Sequence, residues 1–208
     1  MTLVTRTIAG RTVTASCEPP RAPLAEDVLT TLERIASSDP LRDGMRVRFG
    51  WSMLTLREDA GGALTVCEPD FDGDPLLEIR PVIDTTLQVT ARQVAFARGV
   101  GITAADASFD EYVVTSRGAL ASPRLRLERR PPEADDDSGW VASAEGSDPP
   151  DDPDALDAVR SYRLLSVRPA ALGVLVAPTG FLVILDGDQL ISVIDSRGER
   201  LFHGRTGL

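Results

Sequence analysis

Arg129-Arg-Pro-Pro-Glu-Ala-Asp-Asp-Asp-Ser-Gly-Trp140 joins a strand-like run, Arg124-Leu-Arg-Leu-Glu128, to a turn of a specific kind. In Asp137-Ser-Gly-Trp140, Asp137 or Ser138 can bond local backbone amides, Gly139 can take a positive φ, and Trp140 can drop into the core as the next strand begins. The turn is embedded in acid. From Pro131 to Val159 the chain carries ten acidic residues and no base, which equals the entire net charge of −10; outside this segment 22 acids meet 22 bases. A localised negative field with a tryptophan inside it suits a solvated loop or a surface built to meet a basic partner. Solvation alone would be served by mixed signs, as in the rest of the chain.

Outward from that segment the chain is an ordinary globular sequence. Its 208 residues, 42% of them hydrophobic, can bury a sizeable core. All 22 basic residues are Arg, and neither Lys nor Asn occurs, a bias that reflects a G+C-rich and therefore bacterial genome more simply than a demand for guanidinium. The opening Met1–Gly10 has no continuous apolar stretch of the signal-peptide kind, and no later run approaches the roughly eighteen apolar residues of a membrane span, so the expected location is the cytoplasm, with no membrane partner. Net acidity without a basic patch argues against nucleic acid as a partner. Cys17 and Cys67 stand apart, without C-x-x-C spacing, and are expected to be reduced.

Taken in order, Leu3–Ile8 and Thr12–Ala15 predict a short hairpin about Ala9-Gly-Arg11. Leu24, Val28, Leu29, Leu32, Ile35 and Ala36 then trace one face of an amphipathic helix that ends near Asp39-Pro40. Met45–Arg57 alternates on both sides of Gly50, predicting a β-ribbon with a bulge or bend there, and Ala63–Cys67 predicts a further strand. Asp84-Thr-Thr86 can cap a helix through Leu87, Ala91, Val94, Ala95 and Ala97, stopped by Gly99-Val-Gly101. Gly99-x-Gly101-x-x-Ala104 fits a dinucleotide fingerprint by letter, but it ends a helix where that fingerprint must open one. Glu111–Thr115 and Arg124–Glu128 read as strands. In the second, Leu125 and Leu127 face the core, and Arg124, Arg126, Glu128 and Arg130 share the opposite face, solvated or holding nearby acids. Asp154 is expected to cap a short helix through Leu156, Val159 and Tyr162 to Leu165. Phe181–Ile194 is a hairpin about Asp186-Gly-Asp188. The class this implies is α+β, mainly antiparallel sheet with a few packed helices and a C-terminal β-hairpin.

Little of this is catalytic. His203, the one histidine, lies near the C-terminus where chains fray, and no nucleophile elbow, P-loop or His-x-x-His pair is present. Asp70, Asp72 and Asp74 alternate like a calcium loop, but Pro75 and Pro81 stand where that loop needs Gly and Glu. No catalytic residue, cofactor or metal ligand is assigned. A metal-dependent hydrolase using the aspartates of the acidic segment is the alternative from another class, and a non-catalytic regulatory or scaffold module is a third.

The run Arg124–Arg130, Asp137-Ser-Gly-Trp140, Asp152-Pro-Asp-Ala-Leu156, Tyr162, Pro169, Leu172 and Pro178-Thr-Gly180 resembles the immunity protein 33 domain family of bacterial polymorphic toxin systems. Upstream, Phe49-Gly-Trp-Ser-Met-Leu54, Glu68-Pro-Asp-Phe71, the Gln93 helix and Gly101 are similar to the region that precedes that domain, so the resemblance covers residues 44 to 195. It departs from the family over Ser143–Pro150. The resemblance implies a non-enzymatic immunity protein that binds and blocks a cognate protein toxin. Combined with the charge segregation, it points to a toxin with a basic cleft, such as a nuclease. The expected partner contacts are Asp135, Asp136, Asp137, Asp148, Asp151, Asp152 and Asp154, with Trp140 supporting the loop from beneath. The expected organisation is an N-terminal extension (1–40), an α+β region (41–105) and an immunity-protein-like α+β domain (106–208).

Overall fold

Two sheets account for the alternating segments. The structure, a computed structural model, describes residues 1–147, 150 and 152–208, and the chain divides into two units, Met1–Thr90 and Ala91–Leu208.

In the first unit, β1 (Thr2–Ile8) and β2 (Arg11–Cys17) form the expected hairpin, with Ala9 and Gly10 both at positive φ in its turn. Helix α1 (Ala22–Ala36) follows, with proline in its first turn. Its predicted face is the one it buries: Val28, Leu29 and Leu32 join Val4, Ile8, Val13 and Ala15 in one apolar cluster, each large side chain contributing about 1.5–3 kcal/mol. Arg6 of β1 holds the polar side of the helix through Glu26 at 2.7 Å and Glu33 at 3.2 Å. The sheet continues with β3 (Arg46–Phe49), β4 (Ser52–Glu58), β5 (Leu64–Pro69) and the short β6 (Ile79–Arg80), in the order β1-β2-β5-β4-β3 with β6 on β5. Strands β1 and β2 are thus part of the same sheet as β3–β5, β2 pairing directly with β5. Gly50 is neither bulge nor mid-strand bend. Phe49 pairs with Ser52, so Gly50 and Trp51 are the two-residue turn of a tight hairpin, with Gly50 at φ +57°.

Helix α2 (Asp84–Val100) ends as expected: Gly101 takes φ +76° and donates its amide to the carbonyl of Ala97 at 2.9 Å. The second unit then forms from β7 (Tyr112–Ser116), β8 (Arg124–Arg129), β9 (Asp137–Ala144), β10 (Leu156–Arg160), short helices α3 (Leu164–Val167) and α4 (Pro169–Val174), β11 (Leu182–Asp186), β12 (Gln189–Ile194) and β13 (Arg200–Gly207). The sheet order is β10-β7-β9-β8-β11-β12-β13, antiparallel except where β9 inserts parallel to β7. With the parallel pair β2/β5 in the other sheet, the fold is α+β with mainly antiparallel sheets. The β11–β12 hairpin closes on Gly187-Asp188.

Two expectations fail here. Leu156–Arg160 is not a helix capped by Asp154 but the edge strand β10, paired along its length with β7; a single 3-10 turn, Pro153–Ala155, precedes it, and helical turns resume at Ser161. His203 does not sit in a fraying tail. It lies in β13, exposed, with its backbone paired opposite Ser192 of β12.

Candidate functional site

The segment at 129–140 is built around a buried cation. Strand β8 alternates as expected, Leu125 and Leu127 inward, so parity places Arg129 inward as well, where it is only 9% exposed. Its guanidinium donates to four backbone carbonyls, those of Ser138 (3.1 Å), Leu175 (3.2 Å), Ala177 (2.7 Å) and Asp106 (2.9 Å). Burial lowers its pKa and the charges of Glu111 and Asp106 raise it, the burial effect being the larger. An arginine still keeps its proton, because its unperturbed pKa lies far above neutrality.

Around this hub the Asp-Ser-Gly-Trp turn is satisfied internally. Asp137 accepts the amides of Gly139 (2.8 Å) and Glu133 (2.9 Å), closing the acidic loop on itself. Ser138 donates to the carbonyl of Tyr112 on β7. Gly139 sits at φ +74°, and a Cβ there would lie 2.1 Å from the carbonyl oxygen of Arg130, whose own amide bonds Gly139 at 2.7 Å. Trp140 is fully buried and donates its indole N–H to Leu175 at 3.0 Å. The Pro178-Thr-Gly180 turn fits the same frame: Gly180, at φ +88° against Ser196, donates its amide to the carbonyl of Arg129 at 2.7 Å. Gln93, buried, donates to the carbonyl of Leu172 at 3.2 Å. Asp137, Ser138, Gly139, Trp140, Gly180 and Gln93, all among the residues of the resemblance, are therefore engaged in holding the fold.

The acids are a different matter. Asp135 and Asp136 are exposed in the loop before β9, Asp136 lying 3.6 Å from Arg160, whose guanidinium stacks on Tyr112 at 3.7 Å. Asp137 has both oxygens engaged within the loop, and Trp140 has no surface to offer a partner. Asp152 and Asp154 are exposed beyond the other end of the sheet edge, where Asp152 accepts the amide of Asp154 at 3.0 Å. Asp148 and Asp151 lie outside the described residues. The two groups are not adjacent: the carbonyl of Asp136 meets the amide of Tyr112 at the start of β7, and the carbonyl of Ala155 meets the amide of Arg117 just past its end. The five-residue rise between them is about 17 Å, roughly twice the screening length of about 8 Å in physiological salt. The structure thus splits one acidic segment into two separately screened groups, with Asp157 exposed on β10 between them.

Elsewhere, in the first unit, Glu68 is completely buried, accepting from the amide of Thr86 (2.7 Å) at the start of α2 and from Arg80 (2.9 Å). Burial pushes its pKa up, and the Thr86 and Arg80 contacts work against that. Arg80 also reaches Asp72, which is how the Asp70–Asp74 loop neutralises part of its charge. Cys17 and Cys67 are free and buried. Among the described residues no three His, Cys, Asp or Glu side chains are grouped as a metal ion requires, and no helix is long and apolar enough to cross a membrane.

A family model described as the Imm33-like domain matches residues 92–196, within the second unit. No curated protein and no solved structure matches the chain.

Proposed function

The chain belongs to the Imm33-like domain family, and from that premise we propose that it is an immunity protein that binds and neutralises a cognate bacterial toxin. The family match carries this reading. The proposed binding surface is the exposed acid at the two ends of the β10–β7–β9 edge: Asp135 and Asp136 on one side, Asp152 and Asp154 on the other, with Asp148 and Asp151 belonging to the same segment. Two anionic groups separated by more than a screening length favour a partner with two basic lobes, or a basic cleft whose walls both touch the edge, as in a nuclease that grips a polyanion. Such fields accelerate encounter and fix orientation more than they add affinity. Neutralisation needs no chemistry from this chain, only occupancy of the toxin's cleft, and its proposed place of action is the cytoplasm of the producing cell.

Co-expression with the product of the neighbouring open reading frame tests the reading. Growth rescue together with copurification is the expected result; a neighbouring product that remains toxic and does not copurify would sink it.

A further inference from the structure

Within the second unit, α2 and the end of the β12–β13 hairpin line a cavity of about 300 Å³. Its walls are largely apolar. Phe96 and Leu190 are buried, Phe202 and Leu208 are half-buried, and Ala95 is exposed. Arg92 also lines it. Five arginines of this unit are buried or half-buried, and four of them are engaged: Arg126 by Glu128, Arg129 by backbone carbonyls, Arg160 by Asp136 and Tyr112, and Arg168 by the carbonyl of Pro123. Arg92 is the exception, with no hydrogen bond or ion pair among the described residues.

A half-buried arginine with no anion on it among the described residues, lining an apolar hollow, defines a ligand by complementarity. The apolar walls ask for a hydrophobic body, and the planar fork of Arg92 is matched by a carboxylate, which it can bind through two parallel hydrogen bonds. A phosphate dianion fits less well, since it would bring two charges to the one basic residue in the cavity wall. At about 30 Å³ for each water-sized group the cavity has room for about ten such groups, the small end of ligand sites. We propose that this cavity binds a small amphipathic monocarboxylate, its apolar body between Phe96 and Phe202 and its carboxylate on Arg92. The proposal is independent of toxin binding.

Calorimetry on the full chain with 3-phenylpropanoate and its neutral amide tests it. The acid is expected to bind with a Kd below about 1 mM and at least about tenfold more tightly than the amide. Arg92→Gln should remove that preference, and Ala95→Phe, a substitution at an exposed helix position, should block both ligands without lowering the melting temperature. Equal binding of acid and amide by the unmodified protein would overturn the carboxylate assignment, and that comparison needs no variant to fold. No heat with the acid up to about 5 mM, or full binding by a folded Ala95→Phe protein, would overturn the site itself.

Discussion

Arg129 and Trp140 meet at one carbonyl: the guanidinium and the indole N–H both donate to Leu175, at 3.2 and 3.0 Å, with the guanidinium carbon 5.8 Å from the ring centroid. Strand β8 supplies the first residue and β9 the second, so a single acceptor fixes the register of the two strands against the segment that follows α4. The acidic loop between them is held at both ends by this contact, which leaves Asp135 and Asp136 on a rigid base.

Replacing Arg129 removes a donor from four backbone carbonyls; Leu175 keeps the Trp140 indole and Asp106 is exposed, but the buried carbonyls of Ser138 and Ala177 lose theirs, each costing about 1–3 kcal/mol when unsatisfied. Arg129→Met is therefore expected to lower stability by about 3 kcal/mol or more. Arg129→Lys should recover little, because an ammonium cannot span acceptors that lie on different sides of a planar fork. Urea unfolding monitored by far-UV circular dichroism measures both; a Lys variant within about 0.5 kcal/mol of the native protein would show that the fork geometry is dispensable.

Gly139 and Gly146 share a positive φ, but only Gly139 is crowded, with a built Cβ 2.1 Å from the Arg130 carbonyl against open space at Gly146. Gly146→Ala should cost about 1 kcal/mol for the backbone conformation. Gly139→Ala should cost several times more, since the Arg130 backbone just past β8 must shift. Thermal melts of the two variants in parallel isolate the steric part.

Arg80→Met in the first unit should cost about 3–5 kcal/mol at neutral pH, because it strands the buried Glu68 carboxylate. The sign of its pH dependence follows from the raised pKa of Glu68: the folded state takes up that proton more readily than the unfolded chain, so the penalty is largest above the folded pKa and shrinks as pH falls through it. Unfolding curves for the variant between neutral and mildly acidic pH should converge on those of the native protein. A gap that widens on acidification would place the cost elsewhere.

The alternation of β8 and the helical face of α1 were legible because both are half-buried and their apolar period is undisturbed. Leu156, Val159 and Tyr162 misled for the opposite reason. Their spacing of three imitates a helix, yet the backbone of β7 offers unpaired edge groups that Leu156–Arg160 satisfies as a strand, with most side chains left partly or fully exposed. Strand β13 carries Gly204 and Gly207 and is mainly exposed, so its pairing with β12 is held by main-chain bonds that leave no hydrophobic signature. Arg129 could have been found from the sequence, since it shares parity with Leu125 and Leu127. The identity of arginine as a surface residue concealed it. At the candidate site, the order of acids along the chain concealed their separation, which depends on β9 running beside β7.

Whether this acidic edge meets a toxin is read out by stopped-flow association with the toxin purified from the neighbouring reading frame. Three proteins suffice: the native chain, Asp135→Ser/Asp136→Ser, and Asp152→Ser/Asp154→Ser. The native association rate is expected to fall steeply with ionic strength, with a loss of about tenfold or more at low salt in each double variant and a shallower salt slope for both. Association rates and salt slopes unchanged in both variants would contradict docking through this edge.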